Sequence, residues 1–198
     1  MSYDHLFKII LIGDSGVGKT CFGERFSTGK FDSDQALTIG IDYHTQIVMR
    51  GKERIKIQIW DTAGQEQFHS LISAYFQGVA GVVLMFDVSQ IKSFQQVSRW
   101  LKRYREGSTE SYITPILLIG SKIDAQRAVA SATARQYAYQ NGLLYEEISS
   151  KRNENVTAAM MKLVDAIYSV YIVNMHTSRG VSSVRQNALT LNASADST

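Results

Sequence analysis

The stretch that most constrains this chain is GDSGVGKT, residues 13–20. It matches the pattern G-x-x-x-x-G-K-[ST] and lies between a strand-like apolar run, LFKIILI, and a helix-like segment, CFGERF. In that setting Gly13 and Gly18 let the backbone wrap closely around a phosphate, with successive N–H groups and the following helix N-terminus facing its oxygens. The spacing predicts that Lys19 reaches the β- and γ-phosphates and that the Thr20 hydroxyl ligates Mg²⁺. We therefore expect a nucleoside triphosphate site, although this motif does not specify the base.

Apolar runs recur along the chain and alternate with helical patterns. The runs LFKIILIG, IKIQIW, GVVLMFDV, PILLIG and GLLYEEI are short and rich in Ile, Val and Leu. This is typical of parallel strands that helices cover on both faces, and it predicts an α/β doubly wound sheet. The exception is residues 41–60, where two alternating segments flank Arg50-Gly51-Lys52 and predict a hairpin of a looser kind. We therefore expect one edge strand to be antiparallel.

Composition narrows the class of protein further. The chain has 198 residues, 44% hydrophobic and 20% charged, which suits one domain with a sizeable core. Its 21 Lys and Arg are scattered among 18 Asp and Glu, so we expect no nucleic-acid partner. Cys21 is the only cysteine, which excludes a disulfide framework and favours a reducing, cytosolic compartment. We see no signal peptide and no apolar stretch near the roughly 18 residues of a membrane span.

Two amphipathic helices are predicted in the second half of the chain. In SFQQVSRWLKRYRE one face carries Phe94, Val97, Trp100, Leu101 and Tyr104. On this pattern Trp100 is a core side chain and not a platform for a ligand. NVTAAMMKLVDAIYSVYIVN predicts the last helix, after which the sequence turns polar and cannot bury enough apolar surface to order itself. We expect an ordered domain over residues 1–174 and a flexible polar tail over residues 175–198.

A second chemical motif, WDTAGQE, occupies residues 60–66 at the end of a strand-like run. A carboxylate at a strand end, here Asp61, can hold Mg²⁺ through a water molecule. The Gly64 N–H can contact a γ-phosphate that only the triphosphate has, and Gln65 is placed to orient an attacking water. Thr38, upstream in ALTIG, offers a second hydroxyl for the metal.

Taken together, GDSGVGKT, TIGIDY, KIQIWDTAGQE, YFQG and LMFDVS resemble the Rab branch of the Ras-like small GTPases, over about residues 5–173. The resemblance implies the three-layer P-loop NTPase G domain, with a mostly parallel six-stranded sheet, one antiparallel edge strand and helices on both faces. It implies that the chain binds GTP and GDP with Mg²⁺, slowly hydrolyses GTP, and recruits effectors in its GTP form during vesicle and membrane traffic. Further expectations are a guanine-nucleotide exchange factor and a GTPase-activating protein as partners, a monomeric state, and a cytoplasmic location with recruitment to the cytosolic face of endomembranes.

The same resemblance implies the residues of the site. Gln65 would be catalytic by positioning water, and Mg²⁺ would be held by Thr20, Thr38 and, through water, Asp61. The nucleotide would be bound by Gly13, Asp14, Ser15, Gly16, Val17, Gly18, Lys19, Thr20, Cys21, Phe31, Thr38, Gly64, Ser121, Lys122, Asp124, Ser149, Ser150 and Lys151. Effectors would read a surface formed by Ile39, Gly40, Ile41, Asp42, Tyr43, Trp60 and Tyr75.

After PILLIG the chain reads SKID, residues 121–124, where the family has Asn-Lys-x-Asp. The resemblance implies that Asp124 accepts hydrogen bonds from the guanine N1–H and exocyclic amine, and that the Lys122 stem packs on the base. Residues 149–151, SSK, resemble the family's Ser-Ala-Lys loop, whose backbone N–H meets the guanine O6.

Ser121 departs from the family's Asn, and its one short hydroxyl cannot span the same distances. Losing one or two hydrogen bonds worth roughly 0.5 to 1.5 kcal/mol each predicts about 2- to 150-fold weaker nucleotide binding and faster exchange.

The C-terminus is the other departure, because it reads NASADST and lacks the prenylation cysteines usual in the family. Residue 2 is Ser, which excludes N-myristoylation as well. Either the chain has been trimmed or it reaches membranes only through partners.

Two alternatives stay open. A weakly binding or non-cycling pseudo-GTPase, acting as an interaction scaffold, is favoured by Ser121 and the missing lipid site and opposed by Gln65, Thr38 and Gly64. A nucleoside or nucleotide kinase shares the phosphate loop but would need an arginine-bearing lid, and neither DTAGQE nor SKID belongs to such an enzyme.

Overall fold

The computed structural model describes residues 2–33, 38, 40–64, 74–108 and 114–173. Its strands are β1 His5–Ile12, β2 Ile41–Arg50, β3 Glu53–Thr62, β4 Gly81–Asp87, β5 Ile116–Ser121 and β6 Leu144–Glu147. Its helices are α1 Lys19–Thr28, α2 Ile91–Gln95, α3 Val97–Gly107, α4 Ser131–Gln140 and α5 over residues 156–173, with a short 3-10 helix at Ala74–Phe76. The predicted tail, residues 175–198, lies outside the described residues, so the domain boundary stays a prediction.

The strands form one six-stranded sheet in the order β2-β3-β1-β4-β5-β6. All neighbours pair in parallel except β2 and β3, which are antiparallel. The predicted mostly parallel sheet with one antiparallel edge strand is therefore confirmed. The β2-β3 loop is tighter than expected, because Arg50 pairs directly with Glu53 and leaves only two residues in the turn. Gly51 has φ 61, a left-handed conformation that such a short turn requires.

Side chains of the central strand β1 alternate between two apolar cores. Ile9 and Leu11 face one core with side chains from α1 and α5, whereas Ile10 and Ile12 face the other with side chains from α3 and α4. All four are fully buried. Successive strand residues point to opposite faces, so a strand covered on both faces must be apolar throughout. The helices on both faces of the sheet are confirmed.

The predicted helix around Trp100 is divided in two in the structure. α2 ends at Gln95 and α3 begins at Val97, and Gln96 joins them, because its N–H donates to the Lys92 carbonyl of α2 and its carbonyl accepts from the Trp100 N–H of α3. Trp100 is 2% exposed and lies in the core, as the periodicity predicted.

The last helix, α5, is long and apolar enough by length and composition to cross a membrane, with mean hydropathy 1.5 over 18 residues. The sequence analysis did not single out this helix as such a span, because Lys162 and Asp165 interrupt its apolar residues. The helix nevertheless packs Met160, Leu163 and Ile167 into the core beside β1 and β3. A core helix meets the same criterion, and the packing accounts for its apolar face.

Because β1, β3, β4 and β5 are parallel, their carboxyl ends meet at one edge of the sheet. β1 is flanked by β3 on one side and β4 on the other, and the chain leaves β1 toward α1 on the face opposite α3. Ligands of open α/β sheets bind in the crevice at such a reversal of strand order. The loop after β1 and the ends of β3 and β5 carry the motifs that the sequence singled out.

Candidate nucleotide site

The loop between β1 and α1 is shaped by glycines and pinned from behind. Gly13 has φ 141, and a Cβ there would lie 2.3 Å from the Met85 carbonyl oxygen of β4, so only glycine fits. Gly18 caps the N-terminus of α1 with φ 94. The Trp100 Nε1–H donates to Asp14 Oδ1 at 2.7 Å, a contact that the sequence did not predict. These contacts hold the loop against β4 and α3 with its backbone facing the crevice.

Lys19 lies under this loop and is 5% exposed. Its ammonium donates to the Gly13 carbonyl at 2.8 Å and the Asp14 carbonyl at 2.9 Å. Burial lowers its pKa to about 8, and the negative charges of Asp61 and Asp14 offset only part of that shift. A polyphosphate in the crevice would supply the negative charge that favours the ammonium form.

Three oxygen-bearing side chains converge beside Lys19. The Thr20 hydroxyl donates to Asp61 Oδ2 at 2.5 Å and lies 2.8 Å from the Thr38 hydroxyl. Asp61 is fully buried, and its Oδ1 has no hydrogen-bond partner within the described part of the chain. Burial raises the pKa of the Asp61 carboxyl, while the Thr20 hydroxyl and the Lys19 charge lower it.

Buried carboxylate and hydroxyl oxygens of this kind are what Mg²⁺ prefers, and a partnerless oxygen is what a cation would satisfy. The residues therefore fit the predicted metal. The protein itself would supply few ligands: within the ranges that the structure describes, there is no cluster of three or more His, Cys, Asp or Glu side chains that could enclose a metal ion. Magnesium here would draw its remaining ligands from water and phosphate oxygens, as is usual for this ion.

At the other end of the crevice, Ser121 terminates β5 and is 3% exposed. Its hydroxyl lies 2.6 Å from the Val17 carbonyl and 2.9 Å from the Phe86 carbonyl, and its single proton serves one or the other. The serine thus still reaches the phosphate loop, which the sequence analysis did not expect. The expected loss therefore concerns the further hydrogen bonds that the larger Asn amide would make, and not the contact with the phosphate loop.

The two charged residues after Ser121 are each held by a partner. Lys122 has φ 61, and its ammonium pairs with Asp87 Oδ2 at 2.8 Å and donates to the Gly16 carbonyl at 2.6 Å. Asp124 accepts a 2.5 Å hydrogen bond from the Ser149 hydroxyl, which is itself buried. Asp87 was missed by the sequence analysis, although LMFDVS carried the signal of an acidic residue at a strand end.

The two ends line one cavity of about 320 Å³. Asp32 and Ser33 also line it and were not predicted. Of the predicted nucleotide residues, those on its wall are Ser15, Gly16, Gly18, Lys19, Thr20, Cys21, Phe31, Thr38, Gly64, Ser121, Lys122, Asp124, Ser150 and Lys151. Gly13, Asp14, Val17 and Ser149 contact these residues from behind, and the catalytic candidate Gln65 lies outside the described residues.

The predicted effector surface begins beside the cavity, at the start of β2. Tyr43 and Trp60 are paired across β2 and β3, with ring centroids 5.4 Å apart, and Trp60 and Tyr75 are also 5.4 Å apart. Tyr43 is 43% exposed. The three aromatic residues therefore form one cluster, preceded by Gly40, Ile41 and Asp42, while Ile39 lies outside the described residues.

These features define the class of P-loop nucleotide-binding proteins. They are a phosphate loop at the centre of a mostly parallel sheet, a set of oxygen ligands suited to magnesium, and one cavity that extends from the loop to SKID. The sequence model of the Ras family matches residues 8–169. The chain is 41% identical over 167 residues to Ras-related protein Rab-10 of Caenorhabditis elegans, covering 83% of this chain and 82% of that protein. It is 40% identical over 168 residues to Ras-related protein Rab-10 of Diplobatis ommata, covering 84% and 83%. The chain therefore belongs to the Ras family and is a Rab-type small GTPase.

Proposed function

We propose that this chain binds GTP and GDP with Mg²⁺, hydrolyses GTP slowly, and acts as a molecular switch in vesicle traffic by recruiting effectors in the GTP form. The observation that carries this proposal is the shared cavity. Residues of the phosphate loop line the same volume as the hydroxyl-bearing Thr20 and Thr38 and as Ser121, Lys122 and Asp124 of SKID, so one cavity can receive both the phosphates and the base.

At the phosphate end, the backbone N–H groups of residues 14–20 and the Lys19 ammonium would bind the oxygens. Lys19 would exchange its present bonds to the Gly13 and Asp14 carbonyls for bonds to phosphate. Thr20, Thr38 and, through water, Asp61 would hold Mg²⁺, which when bound neutralises charge on the β- and γ-phosphates.

At the base end, Asp124 would accept hydrogen bonds from the N1–H and exocyclic amine of guanine, a donor pair that adenine lacks. Ser149 orients this carboxylate. The Lys122 stem and Phe31 would flank the ring, and the backbone of residues 149–151 would meet O6. Guanine is thus selected by a pattern of donors and acceptors and not by size alone.

Switching would involve residues 30–42 and 61–75, which include Thr38, Gly64 and Gln65. Contacts to the γ-phosphate would order these segments, and hydrolysis would release them. Tyr43 directly follows the first segment, Trp60 directly precedes the second and Tyr75 ends it, so the arrangement of this cluster would report the bound nucleotide to effectors. Gln65 would orient the attacking water.

Intrinsic hydrolysis would be slow, because the sequence offers no evident general base. A GTPase-activating protein that supplies an arginine in trans would accelerate it. A guanine-nucleotide exchange factor would reload the site. We place the G domain at residues 1–174 and the tail at 175–198. The protein would act as a monomer in the cytoplasm and on the cytosolic face of endomembranes, with no nucleic acid involved.

A non-cycling scaffold is the second candidate function. The specific observation in its favour is that the single proton of the Ser121 hydroxyl is used on the Val17 or Phe86 carbonyl, so this side chain has no donor left for the nucleotide. A scaffold would bind the same effectors whether or not nucleotide is present.

The test is phosphate release from preloaded GTP in a single turnover, with Mg²⁺ or EDTA. We expect release at about 10⁻⁴ per second, and at least tenfold slower release from Gln65→Leu with GTP binding retained. Gln140→Leu, an exposed glutamine at the end of α4, is the matched control and should behave as the unmodified chain. Retained GTP with no release, or equal rates for Gln65→Leu and the control, would favour the scaffold.

A further inference from the structure

One arginine contacts both walls of the base end of the cavity. Arg25 lies in the C-terminal half of α1, and its Nε donates to the Ser150 carbonyl at 2.8 Å and its Nη2 to the Lys151 carbonyl at 3.2 Å. Its Nη1 donates to the Gly29 carbonyl at 2.6 Å, in the segment that leads to Phe31. The guanidinium carbon lies 5.5 Å from the centre of the Phe31 ring.

These contacts join α1 and the segment leading to Phe31 with the 150–151 loop, which is distant in the sequence. Ser150, Lys151 and Phe31 all line the cavity, and the carbonyls that Arg25 contacts in the 150–151 loop are more than a hundred residues away in sequence. A guanidinium presents its five donors in a rigid plane, so it can hold several carbonyls in one fixed arrangement, whereas a lysine ammonium has three donors at the end of a flexible stem.

Fixing a carbonyl also fixes the N–H of the next residue, because both belong to one planar peptide unit. The peptide unit that carries the Lys151 carbonyl also carries the Arg152 N–H, which donates to the Ser149 hydroxyl at 3.0 Å. That hydroxyl donates in turn to Asp124. A continuous series of bonds therefore runs from Arg25 to the carboxylate proposed to read guanine.

We propose that Arg25 is a positioning residue that holds the 150–151 loop and Phe31 together and thereby orients Asp124. Its removal speeds nucleotide release and weakens discrimination at the exocyclic amine of guanine. This inference rests on the proposed function, since it concerns the hold on a guanine nucleotide.

The experiment measures dissociation of a fluorescent GDP analogue from the full chain in Mg²⁺, for Arg25→Gln, Arg25→Lys and Arg99→Gln. Arg99 is an exposed arginine of α3 whose hydrogen bond is local, to Gln96, so it controls for loss of a surface charge. We expect about tenfold faster release from Arg25→Gln, an intermediate rate from Arg25→Lys, and the unmodified rate from Arg99→Gln.

A second readout separates positioning from a merely structural role. Inosine diphosphate lacks the exocyclic amine that Asp124 would read, so the unmodified chain should prefer GDP over it by about tenfold. Arg25→Gln should reduce this preference severalfold, whereas general loosening of the fold would weaken the binding of both nucleotides equally. Thermal unfolding of each variant checks that it is folded.

The outcomes are distinguishable. If the unmodified chain binds GDP but Arg25→Gln releases it no faster than Arg99→Gln, or keeps the full preference over inosine diphosphate, the inference is wrong and the proposed function stands. If the unmodified chain binds no guanine nucleotide, the proposed function fails and the inference fails with it.

Discussion

The two ends of the cavity are built in different ways. At the phosphate end, the residues from Gly13 to Thr20 are consecutive, and their geometry follows from the turn between β1 and α1. At the base end, the residues come from three separate segments, Phe31, Ser121–Asp124 and the 149–151 loop, and are aligned by side-chain bonds. A local loop preserves its geometry through the backbone, whereas an assembled wall depends on each bond that joins it.

The charges at the two ends also differ in burial. Lys19 is 5% exposed and Asp61 is fully buried, whereas the Lys122 side chain is 42% exposed. Electrostatic interactions strengthen as water is excluded. Substitutions at the phosphate end should therefore cost more binding energy than those at the base end.

The largest effect is expected at Lys19. Lys19→Ala removes charge-assisted bonds to phosphate worth roughly 1.5 to 3 kcal/mol each, so GDP affinity should fall on the order of 10³-fold. Titration with a fluorescent GDP analogue measures this, with the exposed Lys102→Ala as the matched control. A loss of less than tenfold would mean that the phosphate end does not dominate binding.

Asp124→Asn should come next and should change which base is bound. The NH₂ group of the new amide would face the exocyclic amine of guanine, so two donors would meet. The same NH₂ group can donate to the 2-oxo group of xanthine. We expect about 100-fold weaker GDP binding and a preference for xanthosine diphosphate. Competition between the two diphosphates tests it, and an unchanged preference for GDP would show that Asp124 does not read the base.

Ser121 gives a pair of smaller effects of opposite sign. Ser121→Asn should tighten GDP binding by about 2- to 150-fold, because the amide adds hydrogen bonds that the serine cannot make. Ser121→Ala should weaken it severalfold, because the bond to the Val17 or Phe86 carbonyl is lost. Dissociation rates of GDP from both variants test the pair, and equal rates would rule out a role for this side chain in retention.

The smallest effect should be on stability, at Glu147 behind the base end. Arg127 donates to both of its carboxylate oxygens, at 2.9 and 2.7 Å. Burial acts to raise the pKa of Glu147, but bonds from Arg127 and Tyr145 outweigh it and hold the pKa below its usual 4.5. Glu147→Gln should lower the free energy of unfolding by about 1 kcal/mol at pH 7.

The pH dependence of that loss follows from the lowered pKa. The unfolded chain takes up the proton first as the pH falls, so the stabilisation by Glu147 is complete above pH 4.5 and is lost below it, through the lowered folded value. Urea unfolding of both proteins at neutral and acid pH measures the difference, with the exposed Glu106→Gln as control. A difference that persists in acid would assign the loss to packing instead.

Much of the fold could be predicted because each cue was local. Runs of Ile, Val and Leu marked the parallel strands, and alternation marked the β2-β3 hairpin, so sheet type and edge strand were both correct. The break between α2 and α3 was missed because the apolar spacing of Phe94 and Val97 continues through Gln96 without interruption. The span-like hydropathy of α5 was missed because only uninterrupted apolar letters were considered, whereas the average over the helix is also high.

For the site, the phosphate loop and the positions of Thr20 and Asp61 follow from motif spacing. Asp87, the bond between Trp100 and Asp14, and the contacts of Arg25 could not be predicted from spacing, because each joins residues brought together only by the folded sheet. Trp100 shows the difference well. Periodicity correctly placed its ring in the core, but only the fold reveals that its N–H holds the phosphate loop.

The most direct test of selective guanine-nucleotide binding is a titration of the nucleotide-free chain with a fluorescent GDP analogue in Mg²⁺, followed by competition with excess unlabelled GDP or ATP. We expect micromolar or tighter binding that GDP displaces and ATP does not, because Asp124 accepts hydrogen bonds that guanine donates and adenine cannot. Equal displacement by ATP would contradict the assignment of the base end, and an absence of binding would contradict the switch itself.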